Sequence, residues 1–567
     1  MTKQNRSTIN HPQNRVLVEN HKKSSNFFQS DKILQHYLRN KCTTEGFAYM
    51  QNKLEKLGKL AATKMDELSM IADKNGPVLR KRNALGEEIN EINFHPAYDS
   101  LTKIAVDSEM FRVKWQPELR EKFRKELHQL GFASGYLFVM GELGLYCPLC
   151  MTDGVARIID RYANDEDKKN LLPKIATNDA NELFTGAMFL TEKAGGSDVG
   201  ANLVSAEKIE EDYYALNGEK WFCSNANAEL ILALARTNPA IKGTKGLSIF
   251  LIEKTKKDGT VNHRNIVRLK DKIGVRSMAS AEIILENTEG KILGEEGNGF
   301  AIMTEMINLS RLYNSVSASG VIRRVLVEAY EYLSYRKTFG KTTLEHALVR
   351  DKIAELAAIH QANFHFCWRT IQALDAADNG DENAAQLVRI LTPMLKKETA
   401  IDAVYTCREA MEAIGGIAYI EESIIPKYLR DALVLPIWEG AGNIMTLDAL
   451  RAAFKSKGLT FLFEEISQIS QKTKDEILIQ KQAELLTFFA KLQTMESGEM
   501  QLNAKYFFEE LANLYRVCLL YKNQDEVSSK WIDPAIDYLK QKYFGQHLSN
   551  RQTISLATVR DMVAWEF

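Results

Sequence analysis

The sequence predicts an α+β protein of several domains, with helical segments on either side of a central block of antiparallel strands. Three observations carry this. The chain has 567 residues, too many for one hydrophobic core. Apolar residues recur at helical spacing from about 31 to 183 and again beyond 293. Between these, residues 184–292 read as short apolar or alternating runs separated by turn residues. Helices, then strands, then helices is not the order of a doubly wound sheet, where the two alternate.

Residues 1–30 are rich in Asn, Gln, Ser and Lys and read as a flexible N-terminal arm. Residues 31–183 form a helical domain in which Phe123, Leu127 and Leu130 share a face and Gly131 is placed as a cap. Pro96, Pro148 and Pro173 punctuate this region. Residues 184–292 form the β domain, with Asn217-Gly218 predicting a hairpin turn. Residues 293–455 form a helical bundle, in which Ile302, Met306, Leu309, Tyr313 and Val316 line one helix face. Further helices are placed at about 320–336 after Gly320, 346–377, 382–414 ending at Gly415-Gly416, and 444–454. Residues 456–567 form an additional C-terminal helical domain.

Composition limits the function classes. The chain is 45% hydrophobic and 26% charged, a globular balance. Lys and Arg (73) against Asp and Glu (74) leave a net charge of −1, so nothing global selects for nucleic acid or an anionic membrane. The C-terminal domain is equally balanced, which argues against a DNA-gripping role. Seven cysteines, an odd number at low density, suit a reduced compartment. The N-terminus lacks the apolar stretch of a secretory signal, and no run of about 18 apolar residues marks a membrane span. A soluble cytoplasmic protein is expected.

Common cofactor and hydrolase motifs are missing. No GxGxxG follows a strand, and there is no GxxxxGK[ST], HExxH or GxSxG. Cys147 and Cys150 have CxxC spacing, but with no second pair they read as small core thiols, and no metal site is expected. His360 and His365 read as packing or surface residues.

Four segments can carry chemistry. Thr191–Val199 (TEKAGGSDV) follows a strand, and its adjacent glycines let backbone N–H groups converge on phosphate oxygens or a ring edge, although a plain turn fits as well. Trp221-Phe222-Cys223-Ser224 can wall a flat ligand or simply pack. Arg336-Lys337-Thr338-Phe339-Gly340-Lys341 closes a helix, where Arg336 can grip a phosphate or only cap the helix. Glu439 follows the apolar run Leu433–Ile437 and lies between Trp438 and Gly440. If the run is buried, desolvation raises its pKa toward that of a useful base; capping the next helix is the competing reading.

In order along the chain, FLTEKAGGSDV, GEKWFCSN, LKDKIGVRS, GEEGNGF, YRKTFGK, EAIGGIAYIEE, LRDA and IWEGAGNI resemble the acyl-CoA dehydrogenase family over roughly residues 90–451. FHPAY near 94–98, KWFCS, WEGAGNIMTLDALR and the extra C-terminal domain point to its larger, AidB-like branch. The resemblance implies a homotetramer holding FAD between subunits. Leu190 and Thr191 would bind the flavin edge and Ser197 the pyrophosphate region, with Phe222 and Ser224 against the ring. Arg336, Thr338, Phe339, Glu412 and Gly416 would reach a neighbouring subunit's FAD, with Asn443 near the cofactor. Glu439 takes the position of the catalytic base. Some members carry that base on the helix of Arg311, but here the neighbour of Arg311 is Ser310. Ser310, Arg311, Trp438, Gly440 and Arg451 would flank the substrate.

The implied reaction is acyl-CoA oxidation to a trans-2-enoyl-CoA, with Glu439 taking the α-proton, flavin N5 the β-hydride, and an electron-transfer flavoprotein as acceptor. The alternative is an AidB-type adaptive-response flavoprotein that binds nucleic acid and has weak dehydrogenase activity. The sequence departs from the family pattern at Glu412, Ala441 and Trp438, which bears on substrate identity more than on flavin binding.

Overall fold

The computed structural model describes residues 23–545 and 552–567. Most of the N-terminal arm, residues 1–22, lies outside the described residues. Residues 23–30 are packed rather than free: the Asn26 side chain accepts from the N–H groups of Phe28 and Gln29, and both phenylalanines of the turn Phe27–Ser30 are buried.

The N-terminal segment is helical, and its helices α1 (Lys32–Lys41), α2 (Leu127–Val139) and α3 (Tyr146–Tyr162) pack against the rest of the chain. It also holds a short exposed hairpin, β1 (Val78–Arg82) with β2 (Glu88–Asn93), which helical spacing does not foresee. Gly131 is not a cap. It lies inside α2, where a Cβ would meet Lys114 Cε at 2.5 Å, so the small residue admits a crossing side chain.

The β domain is one seven-stranded sheet of β3 (Gly186–Phe189), β4 (Ser205–Glu210), β5 (Tyr213–Ser224), β6 (Leu230–Arg236), β7 (Leu247–Glu253), β8 (Asn265–Leu269) and β9 (Ser280–Leu293). It runs β3-β6-β4-β5-β9-β7 and closes through a β6–β7 pairing. Most pairings are antiparallel, but β3 lies parallel to β6. Strand periodicity explains the continuous apolar run LILALA in β6. Ile231, Ala233 and Ala235 fill the interior of the sheet, while Leu230, Leu232 and Leu234 face the helical core.

The hairpin expected at Asn217-Gly218 is absent. β5 runs straight through, and Gly218 (φ +137°) sits where the register with β9 shifts. Its left-handed backbone serves a bulge, and a Cβ would lie 3.0 Å from Val204 Cα.

The bundle is built from α4 (Gly299–Tyr335), α5 (Ala347–Asp378), α6 (Glu382–Ile414), α7 (Ile424–Ala432) and α8 (Gly442–Lys455). The break expected at Gly320 does not occur: α4 continues, and the glycine lets α2 cross, since a Cβ would come within 3.0 Å of the Tyr136 carbonyl. α6 does end at Gly415, whose φ of +88° no helix continues. Further helices, including α9 (Ser497–Asn523) and α10 (Ser529–Phe544), pack on α5 and α6. The C-terminal residues return to the N-terminus, where Trp565 bridges Asp31. Among the described residues no helix is long and apolar enough to cross a membrane.

Candidate active site

Glu439 lies in the irregular segment between α7 and α8. It does not cap the next helix: the N-cap is Ala441, without a side-chain bond. Its φ is +57°, a left-handed conformation that costs a non-glycine residue about 1–3 kcal/mol. Two cations hold the turn in place. Arg311 Nε, from α4, donates to the Glu439 carbonyl at 3.1 Å, and Lys396 Nζ, from α6, donates to the Gly440 carbonyl at 2.6 Å. These two bonds offset part of the backbone strain. Gly440 (φ +107°) completes the turn; a Cβ there would meet Met445 Cε at 2.5 Å.

Because both cations bind carbonyls, the Glu439 carboxylate is left without an ion pair or hydrogen bond among the described residues. Arg311 is also committed to Asp448 at 2.7 Å, as is Arg389, and these guanidiniums outweigh burial to hold Asp448 below the usual carboxylate range. Burial raises Glu439 to about 7 against the pull of Arg311 and Lys396. Burial also lowers Lys396 to about 7, against the pull of Glu439. Burial thus moves the carboxyl up and the amine down toward neutrality, and a carboxyl raised in this way suits a general base at physiological pH. The Glu439 N–H also makes no hydrogen bond among the described residues.

Around this centre, Ser310 is buried and Arg451 is mostly exposed, 3.9 Å from Asp448. Trp438 keeps its indole N–H buried and without a partner, a donor left unsatisfied beside the base. Cys147 and Cys150, in the first turn of α3, are free thiols raised by burial and by the Glu439 charge. Both belong to the hydrophobic core, as their spacing suggests: Cys150 is buried in it and Cys147 packs against it.

The flavin-assigned residues of the β domain form a second cluster. Trp221 N–H donates to the Thr191 carbonyl at 2.9 Å, and Asn202 Nδ2 to the Leu190 carbonyl at 2.8 Å, so the Thr191 loop lies along β5. Beneath it, buried Glu192 pairs with Lys220 and accepts from the Leu203 N–H. Phe222 is 56% exposed, Ser224 bonds Ser280, and Ser197 is exposed beside Gly195 (φ +130°).

The loop before β9 joins the two clusters. At one end Lys270 Nζ sits 3.6 Å over the Trp221 ring and 4.5 Å over Phe222. At the other, Val275 N–H donates to Asp431 of α7 at 2.6 Å. Asp431 belongs to a buried network with Lys427, Glu142 and Ser277, which draws the N-terminal domain, the β domain and the bundle together just ahead of Glu439.

The remaining assigned residues are not gathered in the same chain. Arg336 ends α4, and Thr338 and Phe339 follow in a tight hairpin with Phe339 97% exposed. Glu412 pairs with Arg408 near the end of α6, Gly416 has open space where a Cβ would be, and Asn443 is exposed. None of these bonds Glu439 or the Thr191 loop among the described residues. Sequence reasoning does not associate Lys396, Asp448, Cys147 or Cys150 with Glu439. Lys396 lies inside a long helix with no motif around it, and only the crossing of α6 past the turn reveals its place.

Residues 18–181 match the family model for the adaptive response protein AidB N-terminal domain, 187–288 the acyl-CoA dehydrogenase middle domain, and 297–454 the acyl-CoA dehydrogenase C-terminal domain. The putative acyl-CoA dehydrogenase AidB of Escherichia coli (strain K12) is 30% identical over 78% of this chain and 80% of its own length. Acyl-CoA dehydrogenase family member 11 of Caenorhabditis elegans is 27% identical over 89% of this chain and 85% of its own. The solved structure of Bd2924 in its apo form superposes with a TM-score of 0.82 at 30% identity, covering 89% of this chain and 99% of that one. With a β domain between two helical ones and the family's ordered motifs in place, the chain belongs to the acyl-CoA dehydrogenase family and carries the AidB-type N-terminal domain.

Proposed function

We propose that this protein is an FAD-dependent acyl-CoA dehydrogenase in which Glu439 removes the α-proton of an acyl-CoA. The observation that carries the reading is an unpaired Glu439 carboxyl, partly buried and raised to about 7, on a turn fixed through its carbonyls and not through its side chain. The β-domain residues fit a flat, phosphate-bearing cofactor: the Thr191 loop is open at Gly195, and Phe222 on the adjoining strand is 56% exposed. Leu190, Thr191 and Ser197 would hold FAD, with Phe222 and Ser224 along its ring; when bound, FAD supplies the acceptor for the β-hydride.

The protein's own part is positioning and proton transfer. The free Glu439 N–H would donate to a thioester oxygen and stabilise the charge that develops there. The Arg311 and Lys396 cations favour that same negative charge while leaving the carboxylate able to accept a proton. The product would be a trans-2-enoyl-CoA, with an electron-transfer flavoprotein as the expected acceptor. The exposed Phe339 and Tyr419 (78%) suit a homotetramer in which the Arg336 hairpin reaches a neighbour's cofactor.

Anaerobic titration of the flavin-loaded protein with acyl-CoAs of graded length tests the reading. Bleaching is expected with a matching chain and is lost in Glu439→Gln, while flavin content stays unchanged; bleaching that survives the substitution overturns the assignment. The AidB-type N-terminal domain favours a second reading, an adaptive-response flavoprotein that binds nucleic acid. Salt-dependent retention on DNA, without bleaching by any acyl-CoA, would support it.

A further inference from the structure

A second polar site lies where α1, α5, α9 and α10 meet. A cavity of about 140 Å3 is lined there by His36, Asn40, Lys41, His365, Lys522 and Trp531, among others. His365 is only 6% exposed, and neither of its ring nitrogens has a partner. A buried donor and acceptor left unmet is unfavourable unless something in the cavity meets them.

His36 Nε2 lies 2.7 Å from Asp525, and Lys522 Nζ 2.6 Å from Glu465. Lys41, exposed at the rim, has no ion pair or hydrogen bond among the described residues; partial burial and the neighbouring Lys522 charge lower its pKa against the pull of Asp525. Burial, with Lys41 and His36 nearby, depresses His365 to about 3, so the ring is neutral and keeps one N–H to donate.

We propose that this cavity binds a small oxyanion, of carboxylate or phosphate type, between the Lys41 ammonium and the His365 N–H. Two lysines, Lys41 and Lys522, line the cavity against one carboxylate, Asp525, and no group of three or more His, Cys, Asp or Glu among the described residues can hold a metal. The volume admits an ion of a few heavy atoms and excludes a nucleotide. Its walls come from the N-terminal helix, the bundle and two C-terminal helices, so an occupant would fasten the C-terminal domain to the rest of the chain. The site is independent of the Glu439 chemistry.

The test is thermal unfolding of the full-length, flavin-loaded protein with inorganic phosphate or acetate, each against chloride at constant ionic strength. The proposal expects a saturable rise of about 1–3 °C for at least one of the two ions, identifying the ion type. That rise should vanish in His365→Phe, which keeps a ring in the cavity, and in Lys41→Met, which changes only a rim residue. No saturable rise with either ion, or an equal rise in the wild type and Lys41→Met, overturns the proposal and leaves the cavity to water.

Discussion

Lys396→Met probes the electrostatics around Glu439 without any assumption about substrate. Lys396 is 1% exposed and its amine is lowered from 10.5 to about 7. The unfolded chain keeps that proton up to about pH 10.5, whereas the folded chain releases it near 7. Across this window the unfolded state binds more protons, so stability rises with pH. That difference corresponds to a rise of about 5 kcal/mol between pH 7 and 10.5. The bond to the Gly440 carbonyl favours the ammonium, so about 5 kcal/mol is the ceiling. Methionine fills much the same volume and carries no proton, so the rise should disappear. Glu439 contributes the opposite slope, stability present below about pH 4.5 and lost as pH climbs through 7, and without the Lys396 cation that loss should extend to higher pH. Urea denaturation of both proteins from pH 5 to 10 measures the two slopes. Identical slopes above pH 7 would refute the argument, because they would place the Lys396 amine in water.

Asp431→Asn removes one carboxylate from buried Lys427 and should cost about 3–5 kcal/mol in chemical denaturation; a loss under 1 kcal/mol would count against the network as the clamp between domains. Glu331, buried with Ser24 N–H and the Trp565 indole as donors, is raised to about 7, so its contribution to stability falls between about pH 4.5 and 7. Glu331→Gln should flatten that fall in a thermal melt series, and an unchanged pH profile would contradict the burial. Sedimentation should give a mass several times 64.3 kDa, falling toward it in Phe339→Glu with Tyr419→Glu; a monomeric wild type would end the tetramer reading.

Whatever depends on local period and local turn chemistry is legible in the sequence. The face Ile302, Met306, Leu309, Tyr313 and Val316 is buried along α4, and α6 stops at Gly415 as its glycines foretell. Glu439 stands out because an acid after an apolar run, beside a Trp and a Gly, is locally odd. Glycines mislead wherever their reason is a distant neighbour: Gly131 makes room for Lys114, Gly320 for α2, and Gly218 turns a bulge against Val204. Only the tertiary structure brings Lys396 and Arg311, from two different helices, onto the carbonyls of one turn. Hydrophobic spacing determines which face of a helix turns inward. Where two inward faces cross, and so which polar groups share a desolvated space, depends on packing between segments hundreds of residues apart, and no local pattern encodes it.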